Sequence, residues 1–95
     1  MPKSEKQKLK LLYIAKILLE ETDEQHPIGT AQLIKKLAEL DITAERKSIY
    51  SDVRYLQEFG MDIELSKAKK AGGYYIASRN FELPELKLLV DSVQA

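Results

Sequence analysis

At Gly60 the hydrophobic period of this chain changes, and few folds accept that change. Before Gly60 the apolar residues recur every three or four positions, the spacing of a helix face. After it they alternate, the spacing of a strand. Residues 4–22 read as a first helix, with Leu9, Leu12, Tyr13 and Ile17 at helical spacing and Leu11, Ile14 and Leu18 widening the stripe. Thr22 to Gln25 is a polar break. His26-Pro27-Ile28 is a short extended piece, because a residue before proline avoids the helical region. Thr30 is placed to cap a second helix over 31–40, with Leu33 or Ile34, Leu37 and Leu40 facing inward. After a tight connection at Asp41-Ile42, Thr43 is placed to cap a third helix over 44–58, which Gly60 stops. A join of about three residues between two helices matches the helix-turn-helix plan.

Beyond Gly60, Asp62-Ile63-Glu64-Leu65 puts Ile63 and Leu65 on one face, and Tyr74-Tyr75-Ile76-Ala77 is a second strand rich in β-formers. The loop from Ser66 to Gly73 closes them into a hairpin. Pro84 then opens a last helix, in the first-turn position where its missing N–H costs nothing. The order is helix, short strand, helix, helix, strand, basic loop, strand. This is the order of a winged helix-turn-helix, an α+β fold that is mainly α, with a three-helix core, a two-stranded β wing and a C-terminal helix. Residues 1–80 make the domain, and residues 81–95 form a helix leading toward a downstream domain. Ile49, Val53, Leu56, Leu37, Leu12, Ile63 and Ile76 are expected to share one core.

At 95 residues the chain has room for one domain. It has no cysteine and a single histidine, His26, so thiolate and multi-histidine metal sites are ruled out. No nucleophile–base pair or carboxylate dyad stands out, so neither an enzyme nor a cofactor is expected. No apolar run approaches the ~20 residues of a membrane span. The charged N-terminus (Lys3, Glu5, Lys6, Lys8, Lys10) has an apolar stretch broken by Lys16, which is not the pattern of a signal peptide. A cytoplasmic protein without membrane partners is expected. The formal net charge is zero, so any nucleic-acid reading must rest on where charges sit rather than on their sum.

The third helix divides into two faces. Ile49, Val53 and Leu56 fall on one side, and Lys47, Tyr50, Ser51 and Arg54 fall on the other at i, i+3, i+4 and i+7. Arg46 flanks them in the first turn. Two cations, a phenol and a hydroxyl on one face are the groups that hydrogen-bond base edges and phosphates. Recognition helices commonly meet the major groove with their N-terminal residues. Glu45 and Asp52 lower the charge of this segment, and Asp52 is expected to pair with a neighbouring cation. A solvated amphipathic helix would carry the same residue types, and from the helix alone the two readings are evenly matched. The loop shifts the balance, because Lys67, Lys69 and Lys70 cluster with no acid between Leu65 and Arg79. Such a hairpin tip can follow the sugar–phosphate backbone or enter a minor groove.

Other features carry less. Glu20, Glu21, Asp23, Glu24 and His26 gather at a helix end without the spacing of a closed cation loop. Gly72-Gly73 lacks the strand–loop–helix context of a phosphate cradle. The five tyrosines are scattered across elements rather than arranged as a stacking platform for single strands.

The run Glu45-Arg46-Lys47-Ser48-Ile49-Tyr50-Ser51-Asp52-Val53, followed by Leu56, Phe59-Gly60 and Gly72-Gly73-Tyr74-Tyr75, resembles the N-terminal domain of WYL-domain transcriptional regulators, relatives of the DeoR-type winged helices. The segment Phe81-Glu82-Leu83-Pro84-Glu85-Leu86-Lys87-Leu88-Leu89-Val90-Asp91 is similar to the one that leads into the next domain of that family. The resemblance spans about residues 9–95. It implies double-stranded DNA as partner, with any effector ligand bound by a following domain absent from this chain. The sequence ends inside what reads as a continuing helix, so a truncated chain or a fragment is expected.

The final helix carries Leu86, Leu89, Val90 and Val93 at i, i+3, i+4 and i+7, a stripe too apolar for so short a helix to leave in water. Because two-fold symmetric regulators match palindromic half-sites, a homodimer through this helix is expected. The competing function is a winged helix used for protein–protein contact, which the neutral net charge favours.

Overall fold

The computed structural model describes residues 3–67 and 72–78. Three helices, α1 (Lys3–Glu21), α2 (Thr30–Glu39) and α3 (Arg46–Phe59), precede two strands, β1 (Asp62–Leu65) and β2 (Tyr74–Ser78). The strands form a two-stranded antiparallel sheet, so the domain is α+β and mainly helical. The expected C-terminal helix and the boundary at residue 80 lie outside the described residues, as do Lys69 and Lys70.

One apolar core joins all of these elements. Ile14 and Leu18 from α1, Leu33 and Leu37 from α2, and Ile49 from α3 have no exposed surface, and Val53, Leu56, Met61, Ile63 and Ile76 are buried around them. The alternation after Gly60 aims Ile63 and Ile76 inward, where they are cross-strand partners. Leu65, expected on the same face, is 65% exposed. It is the cross-strand partner of Tyr74, the last pair of the ladder at the far end of β1.

Two further expectations about the core need correction. Leu12 is 64% exposed. Its neighbours one turn away in either direction, Lys8 and Lys16, are also exposed, so Leu12 stands on the solvent stripe of α1. The inward stripe runs instead through Ile14, Ile17 and Leu18. Leu40 is 39% exposed because α2 has already ended, and Ile42 takes its place in the core.

α2 and α3 end by the same device, in which a residue beyond the helix turns left-handed and the next one drops into the core. At α3, Gly60 has φ 126°. Its N–H donates to the Gln57 carbonyl, the Met61 N–H donates to the Leu56 carbonyl, and Met61 and Leu56 are both buried. At α2, Asp41 has φ 63°, the Ile42 N–H donates to the Leu37 carbonyl, and Ile42 and Leu37 are both buried. Aspartate tolerates the left-handed region better than most side chains, because its short polar arm finds local partners.

The helix starts differ from the expected ones. α2 begins at Thr30 with Gly29 as its cap, and the Gln32 side-chain oxygen accepts the Gly29 N–H at 2.9 Å. α3 begins at Arg46 with Glu45 as its cap, and the Ser48 hydroxyl donates to the Glu45 carbonyl at 3.0 Å. Thr43 caps nothing. With Ile42 anchored in the core, residues 43–45 run non-helically before α3 can start, so the connection spans 40–45 rather than about three residues. α1 runs Lys3–Glu21, one residue earlier at each end than expected.

β2 is bordered on both sides. On one side lies β1. On the other, Ile28 and Tyr74 exchange two backbone hydrogen bonds at 2.8 Å, so the expected extended piece at Pro27-Ile28 acts as a short third strand. Next along that edge, the Ile76 N–H donates to the Thr22 hydroxyl at 3.1 Å, and the same hydroxyl donates to the Leu18 carbonyl at 2.6 Å. Thr22 is 3% exposed, and this one side chain ties the end of α1 to the sheet. Gly73 is needed where Ile28 crosses, since a Cβ there would lie 2.4 Å from the Ile28 carbonyl carbon and oxygen.

Candidate nucleic-acid interface

α3 is clamped along one face and open along the other. Ile49, Val53 and Leu56 hold the inner face. Arg46, Lys47, Tyr50, Ser51 and Arg54 are all exposed, Tyr50 by 48%. Helical spacing puts Lys47, Ser51 and Arg54 on one stripe pointing away from the core, with Tyr50 and Arg46 on one flank. The first turn adds the positive end of the helix dipole and backbone N–H groups without intrahelical partners.

The ion pairs lie away from this face. Lys10 pairs with Asp52 across α1 and α3, and both side chains are mostly buried. The expected pairing of Asp52 with a cation is therefore met from α1, which takes the one half-buried acid of α3 out of play. Lys6 pairs with Asp41 at 3.1 Å, and Lys36 with Glu21 at 2.6 Å. Among the described residues, Arg46, Lys47 and Arg54 take part in no ion pair. Zero net charge thus coexists with a local cationic face.

α1 also sets the approach to α3. Over one turn, Lys6 holds Asp41, the Gln7 side-chain amide donates to the Thr43 carbonyl at 3.0 Å, and Lys10 holds Asp52. The turn between α2 and α3 and the middle of α3 are both gripped from the same helix.

The hairpin is charged unequally along its length. On its outer face Glu64 is the cross-strand partner of Tyr75. Burial, then the carboxylates of Glu24, Glu64 and Asp62, push the Tyr75 hydroxyl above the ordinary phenol range. The base of the hairpin is therefore acidic. Toward the tip the Ser66 N–H donates to the Gly73 carbonyl at 2.7 Å, and Lys67 beyond it is exposed. The acidic end of α1 folds on itself: Asp23 accepts from the Gln25 N–H at 2.9 Å and bonds the His26 ring at 2.8 Å.

One residue of the face is missed by the sequence reading. Glu58 is exposed and lies one turn past Arg54, on the same stripe as Lys47, Ser51 and Arg54. The helical spacing that picks out those three picks out Glu58 as well.

Among the described residues no group of three or more His, Cys, Asp or Glu side chains could hold a metal ion, and no helix is long and apolar enough to cross a membrane. No family model matches the chain, and neither curated proteins nor solved structures give a match.

Proposed function

We propose that this chain is a winged helix-turn-helix domain that binds double-stranded DNA for a transcriptional regulator of the WYL or DeoR type. α3 would lie in the major groove with Lys47, Ser51 and Arg54 toward base edges. Arg46 and Tyr50 would lie at the groove's rim, and Lys67, Lys69 and Lys70 of the wing along the phosphates. The observation that carries this reading is the outward face of α3. Among the described residues its three cations take part in no ion pair, and two hydroxyls stand beside them, on a helix whose opposite face is locked into the core. Domain order supports it too, since α2, a turn and α3 are followed by a hairpin stitched to the helices through Ile28 and Thr22.

The test is binding to duplexes selected from a randomised pool, followed across salt concentrations. Log affinity should fall linearly with log salt, by about 0.9 for each phosphate neutralised. Alanine at Lys67, Lys69 and Lys70 together should flatten that slope. No selectable duplex, or an unchanged slope in the triple variant, removes α3 or the wing from the interface respectively. Pairing through the final helix belongs to the same reading, and light scattering of the parent against a Leu89→Glu, Val93→Glu variant reports it.

A second reading has its own support. Tyr55 and Phe59, on one edge of α3, are 58% and 56% exposed, large apolar groups that a protein partner would cover. A domain that ignores duplex DNA at low salt, yet loses a partner on Tyr55→Ser, would be a protein-interaction module.

A further inference from the structure

Glu58 is the one acid on the outward stripe of α3, and the fold gains nothing from it. Among the described residues it has no ion pair and no hydrogen bond. It stands in the last turn of α3, which contains no basic residue, so its charge opposes the negative end of the helix dipole. It follows Arg54 by one turn without pairing with it. Its neighbours in sequence add to the same sign, with Asp62 and Glu64 beginning the hairpin. Charge therefore falls along α3 from Arg46 and Lys47 at its start to Glu58 at its end.

Resting on the DNA-binding reading above, we propose that Glu58 is a specificity residue. Its carboxylate weakens every arrangement in which the face merely touches phosphates, and is satisfied only where the major groove presents an exocyclic amino donor, the N4 of cytosine or the N6 of adenine. Two physical facts lead there. A carboxylate near a phosphate is repelled whatever the base sequence, so it penalises non-specific contact. In the major groove a Glu side chain accepts a hydrogen bond from an exocyclic amino group, cytosine N4 or adenine N6, which guanine and thymine do not offer there. Lys47 and Arg54 do not supply the penalty on non-specific contact, since a cation gains from any phosphate it meets.

The experiment measures affinity for a pool-selected duplex and for a random duplex of equal length, using the parent, Glu58→Ala and, as a reference, Arg54→Ala. The expected result is opposite signs. Glu58→Ala should bind the random duplex about fivefold more tightly, the size of one near charge pair at the surface in water. It should bind the selected duplex about tenfold more weakly, and repeating the selection with this variant should lose a preference for cytosine or adenine at one position. The thermal midpoint of Glu58→Ala should be unchanged or slightly raised, so a folding failure cannot imitate the result. A shift of the same sign on both duplexes, or none on either, overturns the role of Glu58. The parent and Arg54→Ala separate this from the broader reading. If the parent binds neither duplex, DNA binding itself is wrong. If the parent binds and Arg54→Ala weakens binding while Glu58→Ala changes nothing, only the proposal for Glu58 fails.

Discussion

The two faces of α3 are fourteen residues wound on one backbone, yet they are specified in opposite ways. On the inner face each side chain is chosen by its neighbours: Ile49 touches no solvent, and Val53 and Leu56 barely do. On the outer face nothing in the described fold chooses Lys47, Ser51 or Arg54, because they are exposed and have no ion pair among the described residues. Residues that folding leaves undetermined are open to be set by a partner. Asp52 shows the boundary between the regimes, since its stripe meets α1 and its charge is answered at once by Lys10.

The sharpest way to break this contrast is to cut into the inner face. Ile49→Ala should destabilise the domain by about 2–5 kcal/mol, combining lost burial with a cavity among rigid neighbours. The denaturant midpoint reports it, and a shift under half a kcal/mol would mean that α3 is not held by this face. A second cut tests the hairpin that flanks α3. At Gly73 the added methyl of alanine meets the Ile28 carbonyl and the Gly29 nitrogen, backbone atoms that cannot swing aside. The Ile28–Tyr74 bridge should open at a cost of about 1–3 kcal/mol, with faster amide exchange at Tyr74 than at Ile49. If amide exchange at Tyr74 is unaffected, the strand at Ile28 is not needed to hold the hairpin.

Mutating the outer face should give the reverse pattern. Arg54→Ala and Lys47→Ala should each leave the midpoint within about 0.5 kcal/mol of the parent, as exposed unpaired residues do. Under the proposed function each should weaken binding to a selected duplex by about 1–3 kcal/mol, and a base-reading residue should also relax preference at one position. Loss of stability without loss of binding would exchange the roles assigned to the two faces.

How far the sequence reveals this arrangement depends on whether a residue's role is local. The change of period at Gly60 is local, and it divides the three helices from the two strands. The cationic stripe of α3 follows from spacing alone. The start of α3 does not, because Thr43 and Glu45 both stand where a cap can stand, and the burial of Ile42 decides between them. Leu12 shares helical spacing with Leu9, Tyr13 and Ile17, but Lys8 and Lys16, one turn to either side, mark its stripe as the solvent one. Thr22 reads as part of a polar break. Its buried role depends on Ile76, 54 positions away in the chain, and no local pattern announces such a partner. Gly73 likewise reads as hairpin flexibility, whereas its cause is the approach of Ile28 from a distant segment.

The smallest expected effect lies at the acidic end of α1, far from either face of α3. The side-chain hydrogen bond from His26 lowers the Asp23 carboxyl below its ordinary range; burial opposes it, and the charge of His26 and the N–H groups of Gln25 and His26 add to the lowering. A carboxyl with a folded pKa below its unfolded value stabilises the fold above the unfolded pKa, and that contribution disappears as pH falls through the folded one. The window therefore lies below about pH 4, the ordinary carboxylate value. Asp23→Asn keeps an oxygen for the Gln25 N–H and removes the charge, so it isolates the ionic part. The thermal midpoint of this variant should sit slightly below that of the parent at neutral pH, and the gap should close as both are taken below pH 4. Because Asp23 is half-exposed, the gap should also shrink in high salt. A gap that stays constant across this pH range would assign the effect of Asp23 to its turn geometry alone.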